Sequence, residues 1–140
     1  MKTVKKAKPK KIKLVPYATL KRQLDKIFSD YIRLRDNYTC ITCGTKGDKS
    51  VIQNGHYVER NKIGTRFDER NSNAQCVNCN VWKKGNLRIY AIKLEEKYGH
   101  GVLQELQELA QSNQGKKMNR TEIESKIAYY KQKVWEIENK

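Results

Sequence analysis

The four cysteines fall in two pairs, Cys40-Ile-Thr-Cys43 and Cys76-Val-Asn-Cys79. A two-residue gap lets both sulfurs of a pair reach one ion from a tight turn, and two such turns complete a tetrahedral four-sulfur site. Thiolates are soft donors that select zinc or iron over magnesium, and Gly44 directly after the first pair relieves the turn as in a zinc knuckle. We read Cys40, Cys43, Cys76 and Cys79 as ligands of one Zn²⁺. Four thiolates leave no open position for water, so that zinc is structural. The competing chemistries are an iron–sulfur centre and a thioredoxin-like redox pair, the latter expected once, between a strand and a helix.

The spacer of 32 residues between Cys43 and Cys76 is longer than a minimal zinc ribbon needs, so an element is inserted between the two halves of the site. Within it stands His56, the one histidine of the cysteine region. Imidazole titrates near neutral pH, which suits it to draw a proton from water as a general base. Asn80 follows the last cysteine. Its side-chain oxygen is a hard donor appropriate to Mg²⁺. Each has a structural alternative: His56 as a buried strand residue or a neighbour of the zinc ligands, Asn80 as a helix cap. The other histidine, His100, follows Gly99 at the end of a helical stripe, where a capping or surface role is expected.

The order Cys-x-x-Cys, Gly55-His56-Tyr57, an Asn-rich loop, then Cys76 to Cys79-Asn80 resembles the zinc-stapled branch of the HNH or ββα-metal endonucleases. It also resembles the phage endonuclease VII group. Arg66-Phe67, Asn71, Gln75-Cys76 and Gly85-Asn86 bring the match closer to the NinG (Rap) recombination proteins of lambdoid phages and prophages, over roughly residues 38–90. The resemblance implies a structure-specific nuclease acting on branched DNA, Holliday junctions included, with Mg²⁺ or Mn²⁺ as catalytic ion. It puts the middle Asn of the HNH motif at Asn71 or Asn73, where such a residue braces the loop carrying the base; Asn71 is preferred. One position departs. HNH nucleases commonly carry an Asp or His metal ligand directly before the base, and here that residue is Gly55. Either the second ligand comes from elsewhere, with Asp68, Glu69 and Glu59 nearest in sequence and Asp68 chosen, or His56 itself binds the metal.

These residues need elements to position them. Leu20, Leu24, Ile27, Phe28, Tyr31 and Leu34 recur at three- and four-residue steps and predict an amphipathic helix over 17–36, broken by Asp36-Asn37. Residues 38–85 lack that period. Val51, Ile52, His56 and Tyr57 suggest a short strand pair with His56 near a strand end, and residues 77–84 a short helix bearing Asn80. So few large apolar groups need another source of stability, which a metal supplies. The helical period returns over 86–140 in three stripes: Leu87, Tyr90, Ala91, Leu94 and Tyr98, ended by Gly99; Val102, Leu103, Leu106, Leu109 and Ala110; and Ile123, Ile127, Tyr130, Val134 and Ile137. Asn119 or Thr121 caps the last helix, with Glu122 and Glu124 in its first turn. The fold class is α+β, a small zinc-stapled ββα core with flanking helices in one domain, preceded by a flexible basic arm, residues 1–16.

The 140 residues carry 30 Lys+Arg against 15 Asp+Glu, a formal charge of +15. The arm holds seven lysines and no acid, so +8 belongs to the rest. A polyanion is the natural partner, and nucleic acid the commonest one. Arg60, Lys62, Arg66, Arg70, Lys83, Lys84 and Arg88 surround the proposed centre as phosphate ligands. No base-reading helix of repressor type is recognisable, which favours selection by DNA shape. No apolar run of membrane-spanning length and no signal peptide is visible, so a cytoplasmic location in the bacterial host is expected. The expected function is metal-dependent DNA cleavage during phage recombination. Its rival is a noncatalytic zinc-finger accessory that binds DNA. Two cuts at a junction would suit a homodimer, for which the stripe ending in Trp135 and Ile137 is one possible seam.

Overall fold

The computed structural model describes residues 2–11 and 13–140; Met1 and Ile12 of the expected arm lie outside the described residues. The elements are α1 (Tyr17–Arg35), β1 (Ile52–His56), α2 (Ile63–Arg66), β2 (Ser72–Cys76), a π-helical turn (Asn78–Trp82), α3 (Leu87–Tyr98), α4 (Val102–Ser112) and α5 (Arg120–Glu138). The two strands pair antiparallel, with Ile52 opposite Cys76 and His56 opposite Ser72. The described arm residues before α1 are exposed and have no regular secondary structure. Among the described residues no helix is long and apolar enough to cross a membrane.

α1 is buried more widely than one stripe predicts because α5 packs on one side of it and the sheet on another. Leu20, Leu24 and Phe28 are buried as expected, but so are Ile32 and Arg33, while Leu34 is half-buried. Phe28 stands edge-on to both Phe67 and Tyr130, at centroid separations of 5.5 and 4.9 Å. Ile123, Ile127 and Tyr130 complete this core. Val134 and Ile137 are only half-buried and Trp135 is exposed, since α5 runs on past the end of its packing partner's apolar face. α5 begins with a capping box between Asn119 and Glu122, which selects Asn119 over Thr121.

A second core joins Tyr90 and Leu94 of α3 to Val102, Leu106 and Ala110 of α4 and to Val58. Leu87, expected in that stripe, is exposed. Two further departures concern short elements. The strand-to-strand loop contains the one-turn helix α2, and the expected short helix after Cys76 is wound as a π turn. Both are too short for periodicity to declare them.

The end of α1 is fastened to β2 by polar bonds. Arg35 donates to the carbonyls of Glu69 at 2.9 Å and Ser72 at 2.8 Å, and Asp36 accepts the Ala74 amide at 2.8 Å. Both side chains are well buried, and burial opposes the charge on each. Their mutual pairing outweighs it, raising the Arg35 pKa and lowering that of Asp36. This clamp sets the sheet against α1, and so decides what His56 faces.

Candidate functional site

The knuckle that carries the first cysteine pair is closed by Cys40 N–H to Thr45 O at 2.8 Å and Gly44 N–H to Cys40 O at 2.9 Å. Gly44 takes a φ of +78°, which suits glycine. Cys76 ends β2, and the chain turns at once so that Cys79 lies within the π turn. The four Sγ atoms lie within 4.8 Å of one another, with Cys43 and Cys76 3.6 Å apart. A tetrahedral zinc with bonds of about 2.3 Å needs sulfurs about 3.8 Å apart, so the set suits a structural metal such as zinc. Cys40, Cys76 and Cys79 are buried. Burial pushes the Cys76 thiol up to about 12. At Cys40 the same burial is outweighed by the Thr42 hydroxyl and by neighbouring backbone amides, which bring it to about 6. N–H groups of Cys79 and of the Asn86 side chain point at Cys76 and Cys79 Sγ. Such bonds stabilise thiolate charge and hold ligand orientation.

Beside this centre, and separate from it, a cleft of about 710 Å³ opens between α1 and the sheet. α1 lines it with Arg22, Asp25, Lys26, Ser29 and Arg33; β1 supplies Gln53, Asn54 and His56; Arg60 and Asn80 complete it. Arg22, Lys26, Ser29 and Arg33 lie at steps of four, three and four, one face of a helix. His56 and Asn80, distant in sequence, thus meet in one cation-rich cleft.

The His56 Nε2 lies 3.0 Å from the Arg66 carbonyl oxygen. A carbonyl only accepts, so Nε2 carries the proton and Nδ1 keeps its lone pair. Burial holds the His56 pKa below its ordinary 6.5; the Arg66 carbonyl opposes this, and the Arg60 and Arg66 charges add to it. Asp25 is also half-buried, and burial opposes its charge. Arg66 Nε at 3.0 Å and Arg60 at 2.9 Å outweigh that and hold Asp25 below the usual carboxylate range. Asn80 donates from Nδ2 to Gln53 Oε1 at 2.8 Å. Asn54 Oδ1 is buried without a partner. So is Nε of Arg33, a residue only 7% exposed whose other end pairs with Asp30.

Asn71 is fully buried. Its Oδ1 accepts the Val58 amide at 2.7 Å, and its Nδ2 donates to the carbonyls of Val58 and Thr65, each at 3.1 Å. It therefore ties the chain just after His56 to the helix whose Arg66 carbonyl holds the imidazole. Gly55 has a packing reason. A Cβ there would lie 1.9 Å from Gln75 Oε1, and strand alternation turns that direction away from the His56 face. An acid at position 55 has no room.

Asp68, expected to hold a cation, is not brought to the cleft. Its carboxylate accepts the Arg70 amide and guanidinium and closes a local turn. Glu69 instead accepts the hydroxyls of Tyr31 and Tyr130 against the α1–α5 core, and Glu59 does not line the cleft. The carboxylate that does line it, Asp25, was not anticipated. Of the seven expected cations Arg60 lines this cleft. Arg66 is paired with Asp25, Arg70 with Asp68 and Glu105, and Lys62 lies in a neighbouring cleft. Lys83, Lys84 and Arg88 are exposed on and beyond the π turn. Arg22, Lys26 and Arg33 were missed, although their spacing on the polar side of the first helix was available in the sequence. His100 is exposed, 3.8 Å from Glu95.

Residues 2–140 match the family profile described as bacteriophage lambda NinG protein. The protein ninG of Escherichia phage lambda is 32% identical over 137 residues, 96% of this chain and 65% of the relative. That of Escherichia phage 933W is 33% identical over 137 residues, 96% of this chain and 66% of the relative. That of Salmonella phage P22 is 36% identical over 104 residues, 73% and 51% respectively. The chain thus spans about half to two thirds of the length of these curated relatives. No solved structure matches it. Near-complete coverage by the profile, with the cysteine pairs and the His56–Asn80 cleft inside the matched region, means that the chain belongs to the NinG family of bacteriophage proteins.

Proposed function

We propose that the chain carries a metal-dependent DNA endonuclease site of the HNH or ββα-metal type, acting on branched DNA such as Holliday junctions during phage recombination. One observation carries this reading: a neutral imidazole with a free Nδ1 and the Asn80 amide share a cleft lined by Arg22, Lys26, Arg33 and Arg60. A binding module has no need of the first two.

A divalent ion, Mg²⁺ or Mn²⁺, would stabilise negative charge on the phosphate and on the departing oxygen. The residues present fit such an ion through Asn80 Oδ1, whose amide nitrogen is committed to Gln53, and through the buried, unpartnered Asn54 Oδ1. Asp25 is already engaged by two guanidinium groups. Neutral oxygens alone hold Mg²⁺ weakly, so such an ion would be held firmly only together with substrate phosphate. His56 Nδ1 takes the proton of the water that attacks phosphorus, and the Nε2–H bond to the Arg66 carbonyl strengthens as the ring becomes positive. The cations of α1 hold the flanking phosphates. Asn71 keeps the base in place.

The test is incubation of purified, zinc-loaded protein with four-way junction, duplex and single-stranded DNA, with and without Mg²⁺. Cleavage that requires Mg²⁺ and prefers the junction is expected. His56→Ala should lower nicking by about 10²- to 10⁴-fold, the usual worth of a general base, with DNA binding retained. Binding without cleavage of any substrate would overturn the catalytic reading in favour of a noncatalytic DNA-binding protein. A homodimer would supply the two cuts that junction resolution takes, and sedimentation of the bound complex reads its mass.

A further inference from the structure

A second cleft, of about 370 Å³, adjoins the first and shares Arg60 with it. Its cations are Lys21, Arg60, Lys62, Arg66, Lys116 and Lys117; Arg60 and Arg66 pair with Asp25 outside its lining, and among the described residues no acidic side chain lines it. Three separate stretches build the walls: the start of α1, the loop leading into α2, and the α4–α5 connection. They are fastened together. Tyr17 donates its hydroxyl to the Met118 carbonyl at 2.7 Å, and the Lys117 ammonium sits 4.2 Å from the Tyr17 ring centroid. Gly64 in α2 lies so close to α4 that a Cβ would be 2.4 Å from the Leu109 carbonyl oxygen. The cleft is therefore formed before any partner arrives.

Like charges gathered on rigid walls repel one another, at a cost that a polyanion removes. The basic arm cannot be that occupant, being of the same sign; it leaves the fold at Tyr17, on the rim of this cleft. Resting on the endonuclease reading, we infer that the second cleft seats the sugar-phosphate backbone of a DNA duplex arm leading away from the first. Arg60 belongs to both seats and makes the track continuous, and the arm lysines follow the same duplex outward. Rigid phosphate seats flanking a cutting site constrain the path of the DNA without reading bases.

The experiment compares wild type with the triple variant K21Q/K116Q/K117Q on four-way junctions with short and with long arms. Each phosphate contact contributes about 0.9 to the slope of log K against log salt, so three lost contacts lower it by roughly 2 to 3. We expect that fall with long arms, and little gain in affinity on passing from short to long arms in the variant. An unchanged slope and an unchanged arm-length gain would overturn the second seat while leaving cleavage by the wild type intact. Wild-type protein that binds DNA without cutting would remove the endonuclease reading and keep the seat; failure to bind any DNA would remove both. Should the variant fold poorly, acetylation of Lys116 and Lys117 in wild-type protein supplies the second measurement. Protection of both by the long-armed junction is expected, and equal labelling with and without DNA overturns the inference.

Discussion

Two buried regions of this molecule are stabilised in opposite ways. Where α1 meets α5, Leu20, Leu24, Phe28, Ile32, Ile123, Ile127 and Tyr130 exclude water and interlock, the aromatic rings edge to face. Around the sulfurs, the apolar content is Ile52 and Ala74 beside Cys40, Cys76 and Cys79. Buried polar side chains run from there along the strand pair: Gln75 bonds Thr42 beside Cys40, and Asn73 and Asn71 follow toward the His56 end. The first region is held by area removed from water. The second has a set of four thiols that suits a structural metal, and hydrogen bonds that exist only when every partner is in place. The difference teaches where function can sit. A packed helical seam tolerates no open polar group, whereas the polar region presents His56, Asn54 and Asn80 at its edge.

The largest expected effect falls on the sulfur region. Structural zinc in small domains carries about 10 kcal/mol or more of apparent binding energy at neutral pH. Chelation, or Cys79→Ser, should abolish amide protection in β1 and β2 while α1 and α5 keep theirs longer, as read by hydrogen exchange. Simultaneous loss everywhere would break the contrast. Next, Phe28→Ala should cost about 3 to 5 kcal/mol in urea unfolding, the usual result of emptying an aromatic site in a packed core, without altering zinc content. Gly55→Ala follows. Pressing a methyl into Gln75 should cost about 1 to 3 kcal/mol by overpacking, and Gly55→Asp should not gain a metal ligand, as isothermal titration with Mn²⁺ would register.

The pH response is smaller. His56 is held below 6.5 in the folded state, so the unfolded chain binds its proton more readily. Its contribution is complete above about pH 6.5 and declines as pH falls through that value. Asp25 and Asp36, both held low, add stability that persists to more acidic pH and is lost as pH drops through their depressed values. Thermal melts of wild type and His56→Gln between neutral and mildly acid pH should converge as the pH falls. A constant gap would remove His56 as the source. Least affected should be the fold on exchange of Lys5, Lys6 and Lys8 for glutamine, which should change stability by less than about 0.5 kcal/mol and, on the proposed DNA-binding reading, weaken binding and flatten its salt dependence.

Much of the chain was legible before folding was considered. Leu24, Phe28, Tyr90, Leu106 and Ile127 are buried where their spacing predicts, because a helix turns its repeat into a face. The cysteine spacing foretold that four sulfurs would converge, because a two-residue gap is itself a local geometry. Asp25 was not legible as a cleft residue: on α1 it reads as one more polar position, and only the clamp from Arg35 and Asp36 to β2 turns that side of the helix toward His56. Asp68 misled for the converse reason. Nearness in sequence put it beside the histidine, and a tight turn spent its carboxylate on Arg70.

By itself the sequence determined the four long helices, most of their buried faces, the sulfur set and the excess of positive charge, since each depends on residue type and on spacing within a few turns of chain. Tertiary structure alone decided that His56 and Asn80 share a cleft with α1, that Gln75 fills the space above Gly55, and that Arg60 stands between two basic clefts. Those facts join residues tens of positions apart through buried polar bonds, whose partners follow no period that a linear chain displays.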